Sequence, residues 1–170
     1  MRHWLVTEPL RVVGVDEPHE VVLERLWQLY KHDLSEFRDS HPTTEGLFVT
    51  RRGLDALMGD GRHEALLLFH GVRLAGFAII GGSGEETHDV SEFFILRSQR
   101  RQHVGARAAA SLLARHRGEW EIAFQENNVA AAAFWRRVAR DTARGDVRET
   151  RRPVPERPDI APDVWLSFST

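Results

Sequence analysis

Four arginines crowd one short run, Arg97-Ser98-Gln99-Arg100-Arg101-Gln102-His103-Val104-Gly105-Ala106-Arg107. The run joins an apolar segment, Val90 to Leu96, to a stretch with helical apolar spacing at Val104, Ala108 and Leu112. A strand that enters a helix through a turn leaves the helix's first backbone N–H groups without partners, at the point where an anion can be held. Guanidinium groups add charge and Gly105 allows close backbone approach, so the chemistry indicated is phosphate binding. The plainer reading is a solvated face of an arginine-rich chain, in which Lys31 is the one lysine among 23 Lys and Arg residues.

Other chemistries are narrowed by composition. With no cysteine, the chain has neither disulfides nor thiolate nucleophiles, nor zinc sites built on sulfur, and the expected compartment is the cytoplasm. Among the nine histidines, His63, His70 and His88 stand isolated and no ligand spacing emerges, so no metal is expected. A net charge of -2 argues against a chain-wide nucleic-acid or anionic-membrane binder. The N-terminal residues show no apolar signal-peptide core, and no window reaches the roughly 18 apolar residues of a membrane span.

The elements that must position the arginine run follow from periodicity and punctuation. The 170 residues, 42% hydrophobic and 28% charged, suit one globular domain over 1–170. Residues 9–15 read as a strand and 18–30 as a helix with Val22, Leu26 and Leu29 on its stripe. A polar segment from Asp33 to Gly46 is expected to be mobile, with a short helix from Thr50 to Met58 after it. Runs 65–69 and 74–80 form a hairpin, the strand 90–96 feeds a helix over 103–117, and 120–124 is a strand. Asn128 caps an Ala-rich helix to about Ala139, and strands near 147–151 and 164–168 flank the Pro153 to Pro162 linker. The order is β-α-α-β-β-β-α-β-α-β-β, an α/β (α+β) fold.

The turn and the helix after Asn128 resemble the GNAT N-acetyltransferase superfamily, in its small single-domain bacterial form. Its pyrophosphate loop reads [Q/R]-x-x-G-x-[G/A]; here Arg100 takes the first position, Gly105 the last, and His103 stands where the first glycine is common. Sliding the register by two aligns Gln102 and Gly105 but sets Arg107 at the small-residue position. The downstream pattern N-x-x-A-x-x-x-Y is met by Asn128 and Ala131, with Trp135 in place of tyrosine. The resemblance is best over 65–140. It implies a central mixed, mostly antiparallel sheet with splayed middle strands and about four helices.

It also implies roles. Main-chain groups of Phe94, Ile95 and Leu96 would pair with a pantetheine arm. Backbone amides of Arg100, Arg101, Gln102, His103, Val104, Gly105, Ala106 and Arg107 would hold a pyrophosphate, and Asn128 would reach the cofactor or serve as an N-cap alone. Trp135 would pack in the core or against the cofactor, or hydrogen-bond, but not donate a proton, since an indole N–H has no accessible pKa for that task. Glu92 lies near where members place the base, as either that base or a strand-edge glutamate, with His88 and Asp89 as weaker candidates. Tyr30, the only tyrosine, is either a replacement acid or an amphipathic-helix residue. Asp33 and Glu36 either meet a cationic acceptor or are solvated loop residues. The expected activity is acetyl transfer from acetyl-CoA, a co-substrate, to a primary amine of a small molecule or peptide, by direct attack in a ternary complex. The alternative is a non-catalytic acyl-CoA-binding sensor or assembly module; no nucleic-acid or membrane partner is expected, and a homodimer is left open.

Overall fold

The computed structural model describes residues 8–49, 54–59, 61–82, 85–155 and 157–170. Their elements are β1 Leu10–Gly14, α1 Glu17–Leu34, α2 Leu54–Gly59, β2 Glu64–His70, β3 Arg73–Gly81, β4 Thr87–Ile95, a 3-10 turn Arg97–Gln99, α3 Val104–Leu113, β5 Glu119–Phe124, α4 Val129–Thr142, β6 Arg148–Arg152 and β7 Asp163–Ser169. The β and α order matches the order read from the sequence. The strands form one seven-stranded sheet in the order β1-β2-β3-β4-β5-β7-β6. Every neighbouring pair is antiparallel except β4 and β5.

Helices cover both faces, so the central strands are apolar on both sides. Leu66, Leu67 and Leu68, consecutive on β2, are all fully buried. On one face Leu23, Leu26 and Trp27 of α1 and Leu57 of α2 pack on Leu67, Phe77, Ile79 and Phe94. On the other, Leu112 of α3 and Trp135 and Val138 of α4 pack on Ile80, Trp120, Ile122 and Leu166.

Local differences from the sequence reading matter for the site. Leu29, expected on the apolar stripe of α1, is 51% exposed. The buried stripe is instead Leu23, Leu26 and Trp27, with Tyr30 packed against it. This i, i+3, i+4, i+7 face turns Tyr30 towards the sheet. β4 starts at Thr87, three residues earlier than expected, because Thr87 to Val90 pair with Glu119 to Ile122. α3 ends at Leu113 rather than Arg117; the next residues turn so that the His116 carbonyl accepts from Trp120 Nε1 at 3.2 Å. The segment after α1 is pinned rather than loose. Arg38 donates to both oxygens of Asp163 at 2.7 and 3.0 Å. The Gln28 side chain bonds both the N–H and the carbonyl of Phe48. Of the short helix expected from Thr50, residues 50–53 lie outside the described residues.

Candidate functional site

Two irregularities in β4 build the site. The first is a bulge: Ile79 opposes Glu92 while Ile80 opposes Val90, so Ser91 is an extra residue on β4. A bulge re-aims the side chains beside it. Val90 faces the α3 and α4 core, whereas Glu92 faces α1, where Tyr30 and Lys31 meet it. The second is a splay: β5 pairs with β4 only as far as Val90 to Ile122, leaving Ser91 to Ile95 without a partner on that side. Strand groups alternate in direction. Leu96 N–H donates to Ala75 on β3 at 2.8 Å, and the Phe94 carbonyl is aimed at Gly76, where a Cβ would fall on it. Of the three residues expected to offer main-chain groups to a bound arm, Phe94 and Leu96 therefore direct theirs to β3. Ile95 faces the splay.

The splay opens into a cavity of about 790 Å³ lined by, among others, Tyr30, Phe94, Ile95, Gly105, Phe134 and Trp135. At one end lies the N-terminus of α3. Its N-cap, His103, makes no side-chain cap, and the Arg107 N–H already donates to the His103 carbonyl at 3.0 Å. The amides left for an anion are those of His103, Val104, Gly105 and Ala106. Arg107 and Arg100 thus drop out of the expected set of amides: that of Arg107 is spent in the helix while its guanidinium donates to the Glu8 carbonyl at 3.0 Å, and that of Arg100 donates to the Arg97 carbonyl at 3.2 Å. The Gln102 side chain donates to the Ser98 carbonyl at 3.0 Å, and Val104 is fully buried. Around Gly105 the nearest neighbours of an added Cβ would be Phe134 and Ile95, at ordinary contact distances. Its lack of a side chain answers no crowding within the chain and leaves room on the cavity side.

Arg97 and Arg100 are exposed but tied in place. Both donate to Asp33 at the end of α1, and Arg100 Nε donates to the Ile95 carbonyl at 2.8 Å. Burial alone would push the Asp33 carboxyl up, but the two guanidiniums outweigh it and hold the group below its ordinary value. Asp33, expected to meet a cationic acceptor, is committed to the arginine turn.

Glu92 meets two side chains of α1. Tyr30 OH donates to one carboxylate oxygen, and Lys31 Nζ lies 3.8 Å from the other. Burial raises the Glu92 pKa, while Lys31, Tyr30 and Arg38 pull it back and Asp89 adds to the rise. Burial, with Glu92 beside it, also holds the Tyr30 pKa well above normal, so this phenol keeps its proton at neutral pH. A second cavity of about 440 Å³ lies beyond, lined by Lys31, Leu57, His63, Asp89, Ser91, Glu92, Glu121 and Trp165. Tyr30 and Glu92, bonded to each other, therefore stand one at each cavity. Of the weaker base candidates, Asp89 shares the second cavity. His88 does not; it is buried with its ring against His116 and Trp120.

On α4, the Asn128 side chain accepts from the Ala131 N–H at 3.1 Å, which establishes the N-cap, and Asn128 also lines the larger cavity. Trp135 is buried, edge-on to Phe93 and Phe134. Lys31, Phe134 and Ser91 were given no role from the sequence. Lys31's singularity was the available signal, whereas the bulge at Ser91 left none.

A family model described as "Acetyltransferase (GNAT) family" matches residues 23–139. The chain belongs to the acetyltransferase (GNAT) family. No curated protein matches with significance. Among solved structures, an acetyltransferase from Thermus thermophilus is similar at 21% identity and TM-score 0.69, covering 96% of this chain and 99% of that one. An acetyltransferase from Bacillus subtilis, solved in complex with CoA, is similar at 13% identity and TM-score 0.58, over 95% and 99%. The ribosomal-protein-S18-alanine N-acetyltransferase from Escherichia coli is similar at 13% identity and TM-score 0.59, over 95% and 94%. In this GNAT chain His103 has φ 58°, a left-handed conformation that favours glycine. Arg101, at φ 63°, is left-handed as well, so the conformation does not choose between the two registers.

Proposed function

We propose that this GNAT chain transfers an acetyl group from acetyl-CoA to a primary amine of a small molecule or peptide, by direct attack in a ternary complex. The observation that carries the reading is the Tyr30–Glu92 hydrogen bond at the wall between the two cavities. Acetyl-CoA would supply an activated thioester. The uncapped amides of His103 to Ala106 would hold its pyrophosphate, and the Ile95 edge its amide-bearing arm once Arg100 yields the carbonyl. Ala131, Phe134 and Trp135 would wall the arm. These features fit the co-substrate: one end of the cavity offers donors and cations, and the middle an unpaired strand edge.

The amine would enter through the second cavity. Glu92 takes its proton, which frees the lone pair for attack. Tyr30 then protonates the departing thiolate. Alone it is too weak an acid, since its pKa lies well above 10 and a thiol's near 8.5. Coupled to Glu92 the balance reverses: the carboxyl returns its new proton to the phenol oxygen as the phenol gives up its own, and tyrosinate never accumulates. Trp135 need donate nothing.

The test is free-thiol release from acetyl-CoA across an amine panel. Glu92→Gln is expected to lower turnover about 10² to 10⁴-fold with acetyl-CoA affinity nearly unchanged. An equal rate in the variant would remove Glu92 from the chemistry. Binding without thiol release for any amine would favour the non-catalytic sensor.

A further inference from the structure

Lys31 stands where an acceptor amine has to stand. Its Nζ is 3.8 Å from Glu92, over the rings of Trp27 and Tyr30 at 4.3 and 5.1 Å from their centroids. It lines the second cavity together with Glu92. The side chain is 15% exposed, and no other lysine occurs in the chain. An acceptor must bring an amine to the base, shed a proton and reach the thioester from the Glu92 side. A tethered amine meets the first requirement permanently, which raises its effective concentration far above that of a free acceptor. Burial favours its neutral form, against the pull of Glu92 and with the push of Arg38. An arginine there would stay charged and could not attack.

We propose that Lys31 is a self-acylation site, taking the acetyl group from bound acetyl-CoA when no external amine fills the second cavity. This rests on the function proposed above. Glu92 accepts a proton from the Lys31 ammonium, and the freed nitrogen attacks the thioester carbonyl. The C–N bond forms, the C–S bond breaks, and the thiolate leaves as free CoA after protonation through Tyr30. The products are acetyl-lysine, CoA and one proton: the ammonium gives up two, one passed through Glu92 and Tyr30 to the thiolate and one lost from the new amide nitrogen to solvent, with no further reactant. The neutral amide removes the cation beside Glu92 and sets an acetyl group in the acceptor cavity, so the modified chain would be a poorer enzyme. Self-acylation would act as a brake when acceptor is scarce.

Peptide mass spectrometry after incubation with acetyl-CoA alone tests this, with calorimetry on the same sample to establish that acetyl-CoA is bound. The expected result is one acetyl group on the peptide holding Lys31, suppressed by excess CoA and formed at least about tenfold more slowly in Glu92→Gln. Bound acetyl-CoA with no label on Lys31 overturns the self-acylation inference and leaves the proposed function standing. Labelling that excess CoA does not suppress, or that is equally fast in urea-unfolded protein, marks bystander chemistry and also overturns it. Absence of binding overturns both. The CoA and urea arms keep the test decisive if Glu92→Gln fails to fold. Any label on the N-terminal amine is separated by its own peptide.

Discussion

Glu92 carries a tension that a titration can read. A carboxyl whose pKa folding raises binds its proton more tightly in the native state, so native stability falls as pH rises from the unfolded value through the folded one. Burial raises Glu92 in this way despite Lys31 and Tyr30. Glu92→Gln removes the titrating group, so its melting temperature is expected to gain on the wild type as pH climbs above about 4.3, glutamate's reference value. The gain should level off once the wild-type carboxyl is fully ionised. Scanning calorimetry over a pH series checks it, and a difference that does not vary with pH would mean Glu92 ionises there as freely as in water. The residue types of this site were legible in the sequence: Glu92 and Tyr30 were both singled out. Their meeting was not, because strict alternation along β4 gives no hint that Ser91 is extra, and a stripe drawn through Leu29 turns Tyr30 off the sheet.

At the scale of elements, the β3–β4 contact fixes the far end of the splayed segment. Gly76 lies opposite Ile95, and a Cβ there would fall on the Phe94 carbonyl and come within 3.1 Å of Ile95 Cα. Both obstacles are backbone, so no side-chain rotation relieves them. Gly76→Ala is therefore expected to cost about 1 to 3 kcal/mol, the usual range for overpacking. Because β4 must shift, it should also weaken acetyl-CoA binding. Urea unfolding and calorimetry read the two effects; unchanged stability would mean the strands are not held this close. The elements themselves were read well because apolar runs and caps are local signals. Asn128 caps α4 as its type and position implied. Of the ends that moved, Thr87 was decided by a long-range partner, Glu119, while Leu113 is followed by a local turn closed by Trp120 on the His116 carbonyl. Sequence spacing does not carry such partners.

For the whole molecule, the two faces of the sheet divide the work. α3 and α4 wall the cavity that would receive the co-substrate, while α1 contributes Tyr30 and Lys31 to Glu92 from the other face. Asp33 ties α1 to the arginine turn, and Arg38 ties the following segment to β7, so ion pairs join α1 and the segment after it to both the turn and the sheet. These ties crossed the chain between segments the sequence could not bring together, and they changed the reading of Asp33 from acceptor contact to partner of Arg97 and Arg100. Among the described residues, no helix is long and apolar enough to cross a membrane. The measurement that bears most directly on the proposed co-substrate is isothermal calorimetry of acetyl-CoA against the folded chain and its Gly105→Glu variant. The expected result is saturable binding with a dissociation constant of about 1 to 100 μM, roughly -8 to -5 kcal/mol, lost in Gly105→Glu because its carboxylate would meet the pyrophosphate in the space beside the α3 amides. No heat with the folded wild type, or equal affinity in the variant, would contradict an acyl-CoA site at this helix.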